Sequence, residues 1–247
     1  MKNVIINADD FGYSKGVNYG IMEAYTSGVL TSTTLMTNMP EASHACNLAA
    51  ANPELGVGIH LTLTCGPPLV SGHQTIVDEQ GQFHALSYYS GSYNIDEEEV
   101  YQEWKTQIER AVQFGITPTH LDSHHHIHSY PGLTEIYASL AASFHLPVRV
   151  PFPEKTPGGD SFVSEVMTTD CLELCIDKLK GNMEEMYDQA YTIEFMTHPA
   201  YLDKPLIEGS SFLFPRTQEL ALLTDDALKH QLNNNANVQL ITFRDLS

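Results

Sequence analysis

The sequence predicts an α/β fold: a single-domain, distorted (β/α) TIM-like barrel with about seven parallel strands, spanning residues 1–247. Three observations carry this reading. Short apolar, β-branched segments alternate with helical patterns about seven times along the chain. No linker or low-complexity tract interrupts the 247 residues, a length that suits one barrel. The unusual polar residues fall at or near the C-terminal ends of predicted strands, which a parallel barrel gathers on one face. A doubly wound open sheet is the architecture that the alternation alone leaves standing beside it.

The elements follow in order. Residues 3–8 (NVIINA) form the first strand, and Ser14 caps a helix running to about Ser27, stopped by Gly28. Residues 30–37 (LTSTTLMT) read as a strand and residues 41–51 as a helix that ends before Asn52 and Pro53. Residues 56–64 (GVGIHLTLT) alternate small and apolar positions as a buried strand does. From Cys65 to Tyr93 the periodicity is lost, and Gly66, Pro67, Pro68, Gly72, Gly81 and Gly91 mark a long surface loop, the composition of a lid or binding segment. Asp96 and Glu99 form a capping box that opens a helix to about Phe114, closed by Gly115. Strand 117–122, helix 132–144 and strand 147–150 (PVRV) come next, then a Pro/Gly loop. Helices within 170–190, strand 192–197 (TIEFMT), two helical stretches within 216–233 and strand 238–243 (VQLITF) complete the chain.

Composition narrows the function. Lysines and arginines number 12 against 31 aspartates and glutamates, a formal charge of -19. Such a surface repels phosphate backbones and anionic lipids, and no local basic patch offsets it, so neither nucleic acid nor membrane is the expected partner. Mean hydropathy is -0.19, and no stretch approaches the roughly 18 consecutive apolar residues of a membrane span. The opening residues lack a secretory h-region, which places the chain in the cytoplasm. Four cysteines, Cys46, Cys65, Cys171 and Cys175, contain no CxxC pair and are expected to stay reduced, the last two on one helix face.

Chemistry concentrates in few places. Asp9 and Asp10 end the first strand, His60 lies in the third, Arg149 lies in PVRV, and His198 ends TIEFMT. Five of the twelve histidines, His120, His124, His125, His126 and His128, crowd into P-T-H-L-D-S-H-H-H-I-H. If the strand persists, His120, Asp122, His124 and His126 share one face; if a turn begins at Asp122, one or two rings still point into the barrel mouth. A mixed set of carboxylate and imidazole donors suits Zn, Mn, Fe, Co or Ni better than Mg, and two or three protein ligands leave positions open for water and substrate. The G-x-S-x-G elbow, the phosphate-binding G-x-x-x-x-G-K-[ST] loop, G-x-G-x-x-G and H-E-x-x-H are all absent. Metal-assisted hydrolysis remains: an ion polarises a carbonyl and acidifies its water, a carboxylate takes the proton, and a histidine protonates the leaving group.

N-A-D-D-F-G (7–12), T-S-T-T (31–34), G-I-H-L-T-L-T (58–64), P-T-H-L-D-S-H-H-H-I-H (118–128), H-P-A (198–200) and F-P-R-T-Q-E-L (214–220) together resemble the YdjC-like (ChbG-like) carbohydrate deacetylase family. The resemblance implies a distorted barrel holding one divalent cation, magnesium in general descriptions of the family, with Zn2+ or another transition metal suggested by the histidines. It implies removal of N-acetyl groups from an acetylated mono- or oligosaccharide, of chitooligosaccharide or phosphorylated disaccharide type, and a homodimer. Carried over by motif, Asp10, His60 and His124 are the metal ligands, Asp9 is the general base oriented by Arg149, and His198 is the general acid. These roles follow an analogy with chitin and peptidoglycan deacetylases, whose two histidine ligands come from one short segment; here His60 and His124 lie on different strands. Asp122 and His126 are expected around the ligands or facing substrate, with smaller roles for His120, His125 and His128. The competing enzyme is a glycosidase for phosphorylated disaccharides such as cellobiose phosphate, using Asp9 or Asp10 with a second carboxylate and no essential metal. A sugar- or metal-binding sensor is the non-enzymatic reading.

Overall fold

The structure is a computed structural model that describes residues 2–149, 166–170 and 192–246, the segment 166–170 by its backbone alone. It is an α/β fold built on a parallel sheet. The strands are β1 (Lys2–Phe11), β2 (Ser32–Leu35), β3 (Gly56–Leu61), β4 (Leu121–Ser123), β5 (Val166–Asp170), β6 (Thr192–Thr197) and β7 (Val238–Leu240). Described helices are α1 (Lys15–Thr26), α2 (Ala42–Ala50), α3 (Glu97–Gln113), α4 (Thr134–Phe144), α5 (Lys204–Gly209), α6 (Phe214–Leu223) and α7 (Asp226–Asn234). Every strand pair is parallel, in the order β4-β3-β2-β1-β6-β5.

The expected closed ring is corrected in two respects. Among the described residues no pairing joins β5 to the β4 side, and β7 does not extend the ring. β7 pairs Lys2, Asn3 and Val4 of β1, whereas β2 pairs the end of the same strand from Asn7 onward. Because β6 pairs Asn3 and Asn7 as well, β7 and β2 must share the opposite edge of β1, with β7 lodged below β2. The sheet is nevertheless curled. Val148 bridges to Leu121 beyond β4, so Arg149 stands five strand intervals from β6, a separation of ~24 Å across a flat sheet. Yet its Nη2 donates to Glu194 of β6 at 2.6 Å. An arginine side chain cannot span a flat sheet, so the strands wrap into a partial barrel whose interior this contact crosses.

Strands β1, β2, β3 and β6 are buried almost throughout, because one face fills the barrel and the other lies under helices. At the bottom, the His120 ring stacks on Phe243 with centroids 3.6 Å apart. Gly58 makes room for it, since a Cβ there would lie 2.4 Å from His120 Cε1.

The sequence reading differs from the structure locally. PVRV contributes the single bridge at Val148 among its described residues, and β5 and α5 were not foreseen. Asp96 caps α3 by accepting from Glu98 N at 2.9 Å, but Glu99 does not close a capping box. Its carboxylate turns outward to accept from Gln74 N, Thr75 N and the Thr75 hydroxyl. One turn further along the helix, buried Glu103 accepts from Leu69 N, Val70 N and Gln107 Nε2. The long loop is therefore riveted to α3 by two carboxylates one turn apart. The Pro/Gly loop, the helices expected within 170–190, apart from Asp170 at the end of β5, and the Cys171/Cys175 pair lie outside the described residues. No described helix is long and apolar enough to cross a membrane.

Candidate metal centre and catalytic cleft

In a regular strand Asp9 and Asp10 would point to opposite faces. A bulge in β1 changes this. Between Ala8↔Thr33 and Phe11↔Leu35, β1 advances three residues while β2 advances two. Asp10 absorbs the extra residue in the left-handed region at φ 72°, which aspartate tolerates better than most side chains. Both carboxylates thus enter the barrel mouth, after which Ser14 caps α1 by accepting from Val17 N at 3.2 Å.

Asp10 Oδ1 lies 3.0 Å from His124 Nδ1 and 3.4 Å from His60 Nε2. It is buried and makes no hydrogen bond of acceptable geometry, so one oxygen and two ring nitrogens converge without bonding one another, as donors do around a cation. All three atoms lie within 4.8 Å of one another. The far side of His60 is fixed: Nδ1 meets Asp122 Oδ1 at 2.8 Å, and Asp122 Oδ2 accepts from the Thr34 hydroxyl at 2.9 Å. A carboxylate behind an imidazole is how proteins turn Nε2 toward a metal. Burial works against a charge on His60, but Asp122 and Asp9 outweigh it and raise its pKa to about 10, an environment that favours positive charge at that ring. Among the described residues, Asp9, Asp10, Asp122 and Glu194 pair with two guanidinium groups, Arg149 and Arg216, so carboxylates outnumber guanidinium groups around the converging donors. The residues present fit a divalent cation.

A second trio, Asp9, His60 and Asp122, also brings ligand atoms together. Arg149 already occupies it: Nη1 lies 2.7 Å from Asp9 Oδ2 and 2.9 Å from Asp122 Oδ2, and Nη2 donates to Asp9 Oδ1 at 2.8 Å. Asn7 donates to Asp9 Oδ1 at 2.9 Å. Burial pushes the Asp9 pKa up, but Arg149 and the nearby His60 hold it well below the usual carboxylate range.

His198 follows β6, with Nε2 4.0 Å from Asp9 Oδ2 and Nδ1 4.0 Å from Glu219 Oε2. Its backbone N–H donates to Glu219. Burial lowers its pKa to about 4, against the pull of Asp9 and Asp10. Glu219 is driven the other way by burial, to about 8, although the His198 N–H and Arg216 oppose the shift. These groups open onto a cavity of about 520 Å³ lined by Asp9, Asp10, His60, His124, His198 and Arg216, among others.

Of the six residues singled out from the sequence, Asp9, Asp10, His60, His124 and His198 line this cleft, and Arg149 is buried behind Asp9. The histidine run divides sharply. His120 and His128 are buried core rings, the latter 2.5 Å from the Ser123 hydroxyl and stacked on Tyr137. His125 and His126 line the cavity in the left-handed region, at φ 56° and 51°. Each such residue costs about 1–2 kcal/mol, so the turn is strained where it meets the cleft. Sequence reasoning missed Glu194, Arg216 and Glu219. Arg216 donates to Asp10 Oδ2 at 2.6 Å and, with Glu219, sits in the F-P-R-T-Q-E-L segment. Glu194 carried a signal, since a carboxylate in the middle of an apolar strand demands a cationic partner.

The YdjC-like protein family profile matches residues 3–234. The chain belongs to the YdjC-like family. Among curated relatives, a carbohydrate deacetylase of Geobacillus stearothermophilus is 44% identical, the alignment covering 98% of this chain and 96% of the relative. A carbohydrate deacetylase of Brevibacillus brevis is 41% identical, covering 98% and 99%. The crystal structure of an Enterococcus faecalis V583 protein, described as a candidate cellobiose-phosphate cleavage protein, superposes with a TM-score of 0.85 at 30% identity, covering 100% of this chain and 99% of that one.

Proposed function

We propose that this YdjC-like chain is a metal-dependent carbohydrate deacetylase that hydrolyses the N-acetyl group of an amino sugar or short oligosaccharide. The observation that carries the reading is the convergence of Asp10 Oδ1, His60 Nε2 and His124 Nδ1 beside an arginine-clamped Asp9. The names of the curated relatives support the substrate class. The three donors suit a first-row transition ion such as Zn2+ better than Mg2+. Once bound, a divalent cation supplies Lewis acidity, polarising the acetyl carbonyl and acidifying water.

The chain's own residues do the rest. Asp9 is held ionised by Arg149 and accepts a proton from the attacking water. Arg149 fixes both Asp9 oxygens and so sets the direction from which that proton is taken. His198, across the cleft, gives its Nε2 proton to the departing amine nitrogen, so that acetate and a free amino sugar leave. Arg216 holds the second oxygen of Asp10, leaving Oδ1 for the cation.

The glycosidase reading is not favoured: the curated relatives are named deacetylases, and Asp9 and Asp10, each clamped by an arginine and with burial outweighed, stay ionised, so neither of them can itself protonate a glycosidic oxygen. Purified protein is expected to release acetate from N-acetylglucosamine oligomers, to lose this on EDTA treatment, and to regain it with Zn2+, Mn2+ or Co2+. Sugar–sugar cleavage that survives EDTA, with no acetate, would sink the proposal.

A further inference from the structure

We propose that Glu219 is a positioning residue that sets the tautomer of His198 and replaces the proton His198 gives to the leaving amine. The inference rests on the deacetylase reading and extends it to a residue that the reaction as written leaves unused.

The geometry is specific. The His198 ring lies between two carboxylates, Asp9 Oδ2 at 4.0 Å from Nε2 and Glu219 Oε2 at 4.0 Å from Nδ1. Glu219 is 3% exposed and receives the backbone N–H of His198, which ties its carboxyl group to the residue whose ring it faces. The charged groups around it are Arg216 on its own helix, His198 after β6, and Asp9 and Asp10 on β1. No hydrogen bond joins ring and carboxyl at this length, so the relay requires the two to draw together once substrate fills the cleft.

The arrangement removes a difficulty in the chemistry. With its pKa near 4, His198 is a neutral imidazole at pH 7, and a neutral imidazole carries one proton. A carboxylic acid at Glu219, protonated below about pH 8, faces Nδ1 across 4.0 Å; closing that gap lets it donate to Nδ1 and leaves the ring proton on Nε2, facing the substrate. When the C–N bond breaks, that proton goes to the amine nitrogen and the Glu219 proton moves to Nδ1. Glu219 becomes a carboxylate, His198 is neutral again as the other tautomer, and Asp9 holds the proton taken from water. Proton exchange with solvent restores the start, with no further reactant.

The test uses the metal-loaded enzyme and Glu219→Gln. Glutamine accepts the His198 N–H and donates to Nδ1, but it has no proton to transfer. On an N-acetylated sugar, kcat is expected to fall by about 10²-fold with KM little changed, and the alkaline limb of the wild-type profile near pH 8 should vanish. Hydrolysis of p-nitrophenyl acetate, whose phenolate leaves without a proton, should be spared, which separates a lost relay from a damaged fold. Independently of turnover, the Glu219 side-chain carbon in labelled wild-type protein should titrate near pH 8. Full activity with an unmoved alkaline limb, equal losses on both substrates, or a Glu219 carboxyl that titrates near 4.5 would each overturn the inference. Absence of acetate release by the wild type would refute the deacetylase reading, while the carboxyl titration would still decide the state of Glu219.

Discussion

Replacing Arg149 with methionine is expected to destabilise the protein by about 3–5 kcal/mol and to remove most of its activity. Methionine fills much of the same volume, so the loss is electrostatic. Three buried carboxylates, Asp9, Asp122 and Glu194, would lose their shared cation. An isolated buried ion pair can be exchanged for apolar groups at little cost, but deleting the one cation that three carboxylates share leaves them desolvated without the charge that offsets their burial. The sign of the pH dependence follows. In the wild type the depressed Asp9 pKa contributes stability above its ordinary value of 3.8, lost as pH falls toward the lower folded value. In Arg149→Met burial acts unopposed by the guanidinium and raises that pKa, so the base protonates and activity falls as pH drops through a range where the wild type is unaffected. Urea unfolding across pH, with parallel rate measurements, checks both. An unchanged midpoint would mean that the carboxylates are compensated by another group.

Replacing Asp9 with asparagine is expected to lower kcat by about 10²–10⁴-fold while one metal ion is retained per chain. Asparagine keeps the shape and one acceptor for Arg149 but cannot take a proton. The three converging donor atoms belong to Asp10, His60 and His124, so metal content should not change, and Arg149 keeps Asp122 and Glu194. Metal analysis beside the rate is the informative pair. Wild-type turnover would exclude Asp9 as the base, and loss of the ion would move Asp9 into the ligand set with His60 and Asp122.

Much of the cleft was legible because its residues are chemically out of place in the segments that hold them. A histidine in GVGIHLTLT and two aspartates at the end of NVIINA need polar partners or a metal where they are buried, and strand ends bring them together. What could not be read is pairwise. Nothing in F-P-R-T-Q-E-L says that Arg216 will reach Asp10, 206 positions earlier in the chain, and nothing next to Glu194 says that its partner is Arg149. The bulge was equally hidden, since N-A-D-D-F-G looks like a strand running into a turn and the shift appears only against β2. Of the five histidines in one segment only His124 is expected as a ligand, and His120 and His128 are buried rings whose burial holds each pKa well below its ordinary value.

Locating the ion tests the central claim most directly. A crystal grown with Zn2+ or Mn2+ and measured at the metal absorption edge should show one anomalous peak per chain, bonded to Asp10, His60 and His124. Asp10→Ala or His60→Ala should abolish both the peak and acetate release. A peak at Asp9, His60 and Asp122, or a metal-free protein that still deacetylates, would contradict it.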